Sequence, residues 1–335
     1  MNKKPIIGVV GAGSWGGTLA YLIAKNGYEV NIWTFSNEEY DSLKNKKVLL
    51  RPKTLKIPKT LRPSKDLKSI CKTSDILLIA VPSKFFKSTL QKIKSFGINK
   101  TTILLSATKG LIDNTFTTSM VIKKIFPKNN FAILSGPNIA LDVIEGSPII
   151  SVIASPKIKT AISLQEIVST KTFRLYPNTD VIGVETAGAF KNVIAIASGM
   201  SDGLGFSASS KAAIISRGLI EIIRLSMKLG ANLKTMYSAA GIGDLIATCT
   251  SPNSRNYRVG YSLAKGKKLS VILQELGEVA EGVETVKAMK HLANKYKIDA
   301  PITDGIYDII VNGKSPKNAI ANLLTRPLPK KELAF

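Results

Sequence analysis

A glycine-rich run near the start of the chain restricts the fold more than any other feature. Residues 11–16 have the sequence Gly-Ala-Gly-Ser-Trp-Gly, which is the spacing G-x-G-x-x-G. A short apolar run at residues 6–10 precedes it, and an apolar helical pattern follows it and ends at Asn26-Gly27. A second apolar run at residues 29–34 completes a strand–helix–strand unit, which predicts an α/β fold.

Each glycine of this run has a separate predicted role. Gly11 makes the tight turn after the strand, Gly13 lets a diphosphate approach the backbone, and Gly16 lets the helix pack closely on the strand. Ser14 and Trp15 lie at the start of the helix, whose free N–H groups attract anions. The motif in this context predicts a dinucleotide site.

The adenosine end of the predicted site lacks the usual acidic residue. About 20 residues after the glycines, where Asp or Glu often holds the ribose, the chain has Thr34, Phe35, Ser36 and Asn37. No arginine is present there to bind a 2′-phosphate, and the nearest cations are lysines between 44 and 47. The sequence therefore leaves NAD and NADP both open as cofactors.

Residues 44–72 are densely basic. They contain Pro52, Pro58 and Pro63, with Asp66 as the one acidic residue. A nucleic-acid surface has this charge, but the stretch has no aromatic side chain for base stacking. We therefore predict a mobile, solvated loop beside the cofactor site, and no nucleic-acid partner.

The remainder of the first half alternates strands with helices. The predicted strands are residues 75–81, 102–106, 131–135, 148–154 and 173–176, and the helices between them are 85–96, 116–126 and 157–169. This alternation predicts a Rossmann-type, doubly wound, mostly parallel sheet. Ligands of such sheets bind beyond the carboxyl ends of the strands, where Lys109, Gly136 and Asn138 lie. Lys109 is the cation best placed there to meet a substrate.

After residue 180 the pattern changes to helices alone. They are predicted at residues 184–199, 207–229, 253–265, 281–297, 301–311 and 316–324. We therefore expect a dinucleotide-binding domain at residues 1–183, an all-helical substrate-binding domain at 184–330 and a tail at 331–335. The first of these helices opens the second domain, and a junction between domains is a common place for a cleft.

Lys191 lies in the middle of that first, apolar helix. The residues one turn away, Ala187, Gly188, Ile194 and Ala195, carry no counter-charge. A bare ammonium is costly there unless it has a polar partner or faces a pocket. Burial also lowers the pKa of a lysine, which lets it exchange protons near neutral pH. The alternative is a lysine whose ammonium reaches solvent along the helix surface.

Two further groups of polar residues stand out in the helical half. Asp244 follows a glycine-rich bend, and Ser254, Arg255 and Asn256 lie at a predicted helix start. Arg255 together with free N–H groups suits a phosphate, because its planar guanidinium binds oxyanions in pairs. Glu281 begins another helix, where a carboxylate favours the helix dipole. Taken singly, each is explained better by a helix cap or an exposed turn than by a function.

The remaining composition excludes other chemistries. Cys71 and Cys249 lie far apart and belong to no metal-binding spacing, so we expect neither a disulfide nor a metal. The single histidine, His291, lies in a strongly basic helix, which leaves Lys, Asp, Glu, Tyr or Cys as the base of any redox step. A net charge of +24 attracts anions. No apolar run reaches about 18 residues, so we predict no membrane span and a cytoplasmic protein.

Seven motifs occur in a defined order along the chain. They are Gly11 to Gly16, Ala107-Thr108-Lys109-Gly110-Leu111, Ser135-Gly136-Pro137, Phe190-Lys191-Asn192-Val193, Gly241-Ile242-Gly243-Asp244-Leu245, Ser254-Arg255-Asn256 and Val279-Ala280-Glu281-Gly282. Together they resemble the NAD(P)-dependent glycerol-3-phosphate dehydrogenases of the soluble bacterial type, over residues 5–325. The resemblance is specific because separate motifs agree.

The resemblance implies reversible reduction of dihydroxyacetone phosphate to sn-glycerol 3-phosphate, for glycerophospholipid synthesis. It implies that Lys191 is the catalytic acid or base, assisted by Lys109 and Asp244. The implied substrate-binding residues are Lys109, Gly136, Asn138, Lys191, Asp244, Ser254, Arg255 and Asn256. The cofactor-binding residues are Gly11, Gly13, Ser14, Trp15, Gly16, Phe35, Lys109, Ala140, Arg255, Val279 and Glu281.

The expected mechanism passes a hydride from the nicotinamide to C2 of the ketone while the Lys191 ammonium donates a proton to the carbonyl oxygen. Arg255 and Asn256 anchor the phosphate, so that its binding energy aligns the reacting carbon. Two positions depart from the family pattern. Asn138 stands where Ser or Thr is usual, and Phe35 stands where Arg or another polar group often touches the adenosine end, which weakens the case for NADP.

Two alternatives come from other classes of function. One is a dehydrogenase of the same architecture that acts on a 3-hydroxy acid or a sugar phosphate. The other is a non-catalytic, dinucleotide-sensing regulator or nucleic-acid binder. Neither accounts for Lys109, Lys191, Asp244 and Arg255 together. The expected partner is a small phosphorylated substrate; the oligomeric state is open, with a homodimer among the possibilities.

Overall fold

The structure is a computed structural model that describes residues 4–113, 117–277 and 280–327. These residues form two compact units, the first ending at Val181 and the second beginning at Ile182. The sequence places this boundary between residues 183 and 184. A single long helix begins at Val181 and opens the second unit.

The first unit is built on one large sheet. Its elements are β1 (Ile7–Val10), α1 (Ser14–Lys25), β2 (Val30–Trp33), α2 (Asn37–Asp41), a π-helical turn (Ser42–Lys46), β3 (Val48–Leu49), β4 (Leu55–Lys56), β5 (Leu61–Ser64), α3 (Leu67–Thr73), β6 (Ile76–Ile79), α4 (Ser83–Phe96), β7 (Ile103–Ser106), α5 (Thr118–Ile125), β8 (Phe131–Ser135), α6 (Ala140–Ile144), β9 (Ile149–Ala154), α7 (Ile158–Val168) and β10 (Phe173–Asn178). Eight strands form the sheet in the order β10-β9-β8-β7-β6-β1-β2-β5, and β3 pairs with β4 alone. Strands β8 and β9 are antiparallel, and the other neighbours in the sheet are parallel. The predicted doubly wound, mostly parallel sheet is confirmed.

Hydrophobic patterning explains this arrangement. Every residue of β1 and of β6 is buried, as expected for central parallel strands covered by helices on both faces. Helix α4 buries Phe86, Leu90 and Ile93, which recur at intervals of three and four residues and so share one face. Because the strands alternate with helices and run parallel, the carboxyl ends of β1, β2, β6 and β7 lie along one edge of the sheet.

The basic stretch 44–72 is not a loop, and the prediction is wrong on this point. It contains the β3–β4 hairpin, the strand β5 and helix α3, and it buries Leu49, Leu61 and Leu67. The lysines between these apolar residues face solvent. A count of charges alone therefore does not reveal the spacing of the buried leucines. Pro63 is accommodated because β5 lies at the edge of the sheet, where a missing N–H removes no ladder bond.

The second unit is helical throughout its described residues. Its elements are α8 (Val181–Gly203), α9 (Ala208–Lys228), α10 (Leu233–Met236), a π-helical turn (Ala239–Gly243), α11 (Asp244–Thr250), α12 (Arg255–Ala264), α13 (Leu269–Leu276), α14 (Glu281–Tyr296), α15 (Pro301–Ile310) and α16 (Pro316–Leu324). Helix α8 is long and apolar enough to cross a membrane, but 94% of its most apolar window is buried inside the protein. It is the central helix of this unit.

Helices α8 and α12 touch backbone to backbone. A Cβ atom added at Gly260 would lie 1.9 Å from the carbonyl oxygen of Ile196, and one added at Gly199 would lie 2.0 Å from that of Tyr257. Real side chains do not fit at such distances, so the two helices meet where neither has a side chain. This contact fixes the start of α12 against α8.

Glu221 on α9 caps helix α15 from within the core. It is 2% exposed, and its carboxylate accepts hydrogen bonds from the N–H groups of Ile302 at 2.7 Å and Thr303 at 3.0 Å. The Thr303 hydroxyl donates a third bond at 2.7 Å. Burial raises the pKa of Glu221 to about 7, because the loss of solvation outweighs these bonds.

This carboxyl makes stability depend on pH in a defined direction. The ordinary pKa is 4.5, so between pH 4.5 and about 7 the folded protein keeps a proton that the unfolded chain releases. Stability therefore falls as the pH rises through this window. Relative to Glu221→Gln, we expect the free energy of unfolding of the parent to fall by about 3 kcal/mol between about pH 5 and about pH 8. This follows from about 1.4 kcal/mol per unit of pKa difference between the folded and unfolded states. Urea unfolding of both proteins at the two pH values measures it, and parallel profiles would contradict it.

Candidate active site

The glycine-rich turn of the first unit has the geometry of a diphosphate cradle. Gly11 has φ +108°, and a Cβ there would lie 2.5 Å from the Ala80 carbonyl oxygen. A Cβ at Gly16 would lie 2.0 Å from the Gly11 carbonyl oxygen, whereas one at Gly13 would meet nothing within 4 Å. Gly11 and Gly16 thus serve the fold, and Gly13 leaves the start of α1 open to a ligand. No acidic residue lies in the first turn of α1 to oppose an anion.

Trp15 supports the same interpretation. Its indole Nε1 is buried and has no hydrogen-bond partner in the described part of the chain. Its ring meets that of Phe173 edge-on, with centroids 6.1 Å apart. A buried N–H without an acceptor is costly, and a bound ligand with oxygen atoms would satisfy it. The residues around this turn therefore fit a dinucleotide.

The other predicted cofactor residues lie at the starts of elements. Phe35 lies two residues after the end of β2 and is 88% exposed. Ala140 begins α6 and Glu281 begins α14, and both are half-buried. Val279 lies outside the described residues.

The structure brings an acidic residue to the end of β2 that the sequence spacing did not indicate. The Thr34 hydroxyl, directly after β2, donates a hydrogen bond to Glu39 Oε2 at 2.5 Å. Ser36 caps α2 by accepting the Glu39 N–H at 3.2 Å, which turns the chain back toward the strand. The four residues after the strand carry no carboxylate, as the sequence indicates. The acid comes from the first turn of α2 instead of from the four residues after the strand.

Lys109, Gly136 and Asn138 meet at the carboxyl edge of the sheet. The Lys109 ammonium donates to the Gly136 carbonyl oxygen at 2.8 Å and to Asn138 Oδ1 at 2.7 Å. Gly136 has φ +147°, and a Cβ there would lie 2.7 Å from the hydroxyl of Ser151, so the position requires glycine. Asn138 supplies the oxygen that Ser or Thr would also offer, and it adds an amide group whose Nδ2 is buried without a partner in the described chain.

Lys191 has its partners on a different helix. In the second unit its ammonium donates to Asp244 Oδ1 and, at 2.7 Å, to the Thr248 hydroxyl oxygen. Lys191 is 5% exposed and Asp244 1% exposed. The alternative of an ammonium that reaches solvent is therefore wrong, and α11 supplies the counter-charge that is missing from the turns of α8 next to Lys191.

Helix α11 fixes the direction of this contact. Asp244 is its first residue, where the helix dipole favours a carboxylate. Thr248 lies one turn later, and its hydroxyl donates to the Asp244 carbonyl oxygen at 2.6 Å, which leaves the hydroxyl oxygen to accept from Lys191. Thr248 is not among the residues that the motifs indicate. Its signal was the spacing of four residues from Asp244, which puts both side chains on one helix face.

The surroundings of Cys249 and Tyr257 disfavour both as a base. Burial raises the pKa of the Cys249 thiol to about 12, so it stays protonated. Burial and a hydrogen bond to Asp202 raise the pKa of Tyr257 to about 12. His291 is exposed on α14, as expected. These facts favour Lys191 as the group that exchanges a proton.

The three polar residues at the start of α12, Ser254, Arg255 and Asn256, have different structural roles. Ser254 caps the helix by accepting the Tyr257 N–H at 3.3 Å. Asn256 Oδ1 accepts the Gly282 N–H at 2.9 Å, in the first turn of α14. Ser254 and Asn256 are buried, whereas Arg255 between them is exposed. The two oxygens thus hold the backbone on which the Arg255 guanidinium is presented.

Comparison with known proteins decides the family. A sequence model described as the N-terminus of NAD-dependent glycerol-3-phosphate dehydrogenase matches residues 6–161, and one described as its C-terminus matches residues 180–321. The chain belongs to this family. The resemblance that the motifs predict is confirmed, and with it the expectation of an NAD(P)-dependent oxidoreductase.

Individual relatives agree over nearly the full length. A glycerol-3-phosphate dehydrogenase (NAD(P)+) from Thermoanaerobacter sp. strain X514 is 39% identical over 324 residues, which is 96% of this chain and 97% of the relative. Another from Chlorobium phaeobacteroides strain BS1 is 40% identical over 337 residues, or 98% and 99% of the two chains. The crystal structure of glycerol-3-phosphate dehydrogenase from Coxiella burnetii superimposes with a TM-score of 0.92 at 34% identity, over 96% of this chain and 99% of that one.

Proposed function

We propose that this glycerol-3-phosphate dehydrogenase family member reduces dihydroxyacetone phosphate reversibly to sn-glycerol 3-phosphate in the cytoplasm, for glycerophospholipid synthesis. Residues 1–183 bind the dinucleotide, and residues 184–330 bind the substrate. The observation that carries the proposal is the buried contact of Lys191 with Asp244 and Thr248. When bound, the nicotinamide ring supplies the hydride.

Lys191 serves as the acid in the direction of reduction. Its ammonium donates a proton to the substrate carbonyl oxygen as C2 gains the hydride, and the neutral amine accepts the proton back in the reverse direction. Asp244 balances the ammonium charge, which makes its burial tolerable. The hydrogen bond to Thr248 fixes the orientation of the ammonium. Its proton therefore already points toward the substrate carbonyl oxygen when the substrate binds.

The phosphate is held by groups that do not react. Arg255 presents a planar set of donors suited to two phosphate oxygens at the exposed start of α12. Lys109 is not part of this anchor and instead assists the proton transfer; its ammonium donates to the Gly136 carbonyl oxygen and to Asn138 Oδ1. Binding of the phosphate by Arg255 and Asn256 orients the carbonyl carbon.

Oxidation of NADH and of NADPH in the presence of different ketones tests the function. We expect rapid oxidation with dihydroxyacetone phosphate and little with unphosphorylated dihydroxyacetone. Comparable rates with the unphosphorylated ketone, or a clear preference for a 3-oxo acid, would instead support the alternative dehydrogenase of the same architecture. Absence of turnover with any ketone would support the non-catalytic alternative.

Replacement of Arg255 separates phosphate binding from chemistry. We expect Arg255→Ala to lower kcat/KM for dihydroxyacetone phosphate by about 100-fold, because two charge-assisted hydrogen bonds are lost. The slow reaction of unphosphorylated dihydroxyacetone should not change. Arg258→Ala is the matched control, since Arg258 is an exposed arginine on the same helix. Steady-state kinetics with both ketones measure the effect, and unchanged constants for Arg255→Ala would refute the anchor.

A further inference from the structure

The carboxylate at the end of β2 lies where dinucleotide-binding folds distinguish their cofactors. An acidic side chain there accepts a hydrogen bond from the ribose 2′-hydroxyl of NAD and repels the 2′-phosphate of NADP. Thr34, which is 2% exposed, fixes Glu39 through Oε2. In the described part of the chain, the second oxygen of Glu39 accepts no hydrogen bond. One oxygen is thus held in place while the other can serve as an acceptor.

We infer that Glu39 makes this protein prefer NADH to NADPH. The inference rests on the proposed function in one respect, namely that the first unit binds the dinucleotide. Phe35 is consistent with it, because an exposed aromatic ring beside the strand end offers a surface to adenine and no charge to a phosphate.

Two nearby lysines, Lys44 and Lys65, argue against a preference for NADH. Lys65 donates to the Phe35 carbonyl oxygen at 3.1 Å and lies 5.3 Å from the centroid of the Tyr40 ring, and Lys44 lies 5.2 Å from the same centroid. A pair of ammonium groups is a possible clasp for a 2′-phosphate. Both lysines face the Tyr40 ring, however, whereas Glu39 bonds the residue that directly follows β2. The geometry therefore favours the carboxylate as the group that meets the ribose.

A purely structural role for Glu39 is the second alternative. Ser36 and Glu39 have the spacing of a capping box, in which the acid at the third helical position accepts the N–H of the cap residue. Here the Ser36 N–H donates to the Thr34 hydroxyl at 3.1 Å, and Glu39 bonds that same hydroxyl. A glutamine would keep the Glu39 bond to Thr34 without its charge. The test must therefore remove the charge and preserve the cap.

Equilibrium binding of NADH and NADPH to the full chain, measured by calorimetry without ketone, tests the inference. We expect the parent to bind NADH more tightly, and Glu39→Gln to bind NADPH about tenfold more tightly than the parent does, with an unchanged melting temperature. Glu38→Gln is the matched control, because it removes the same charge from an exposed neighbour on α2. It should leave the ratio of the two dissociation constants unchanged.

Three results would overturn the inference. The parent could bind NADPH more tightly than NADH, and loss of that affinity in Lys44→Ala or Lys65→Ala would then identify the lysine clasp. Glu39→Gln could lower the melting temperature without changing the ratio, which would identify a cap only. Equal changes in Glu38→Gln and Glu39→Gln would identify a general field effect. If the parent binds neither dinucleotide, the proposed function fails as well.

Discussion

Lys191→Ala is expected to reduce dihydroxyacetone phosphate at least about 100-fold more slowly than the parent, the lower end of the contribution of a positioned acid. The loss should appear in kcat, because the proton is needed in the transition state and not for binding. Affinity for NADH should not change, since the glycine-rich turn of the first unit is untouched. Initial rates at saturating substrate, together with NADH binding, measure both.

Folding must be separated from chemistry in this experiment. Lys191→Ala leaves the Asp244 carboxylate buried without its counter-charge, which costs about 3–5 kcal/mol when one partner of a buried pair is removed. The double variant Lys191→Met/Asp244→Asn removes both charges and should recover most of that stability without recovering turnover. Lys228→Ala, an exposed lysine at the end of α9, is the control for loss of a lysine. Turnover of the double variant within tenfold of the parent would rule out the acid role.

Gly260→Ala is expected to cost about 3 kcal/mol or more of stability, above the usual range for an added methyl group. The new Cβ would lie 1.9 Å from the Ile196 carbonyl oxygen. That oxygen belongs to the backbone of α8, so it cannot move aside as a side chain would. For a unit of this size the loss lowers the melting temperature by about 6–12 °C. Since α12 presents Arg255, the KM for dihydroxyacetone phosphate should rise in the same variant.

Gly305→Ala provides the matched comparison. Gly305 is also a helical glycine, on α15, but a Cβ there would meet its nearest neighbours only at 3.9 Å and beyond. Alanine is favoured over glycine in a helix by about 1 kcal/mol, so this variant should melt at or above the parent temperature. The difference between the two variants then isolates the contact of α12 with α8. Similar melting temperatures for both would show that the two helices can separate at no cost.

Most of the fold could be predicted from the sequence, because each strand and helix is determined by the spacing of apolar residues and glycines within it. The glycine spacing at 11–16 and the change of hydrophobic period along the first half follow from how strands and helices bury their faces. The antiparallel pairing of β8 with β9 has no local signal, since it depends on how the chain returns to the sheet. The hairpin within 44–72 could not be predicted, because its alternation of apolar residues is short and lies among many lysines.

The site was predicted in part for similar reasons. The sequence shows that Lys191 has no counter-charge one turn away on its own helix, but not which of the 23 acidic residues supplies it. Asp244 entered through the family resemblance, and its contact with Lys191 spans 53 positions of the chain. The contact of Thr248 with Lys191 joins two helices that are far apart in the chain, and Glu39 reaches Thr34 only because the chain turns back after β2.

With Lys191 as the proposed acid, its burial against Asp244 also determines how the enzyme returns to its starting state. Before reaction the pair carries no net charge, and after the ammonium gives up its proton it carries one negative charge. Each reduction must therefore draw one proton from solvent to reset the pair, through a side chain that is 5% exposed. The Thr248 hydroxyl bonds both partners, so that proton can be relayed through it. Proton resupply is thus a separate step of the catalytic cycle, with its own dependence on how the second unit admits water.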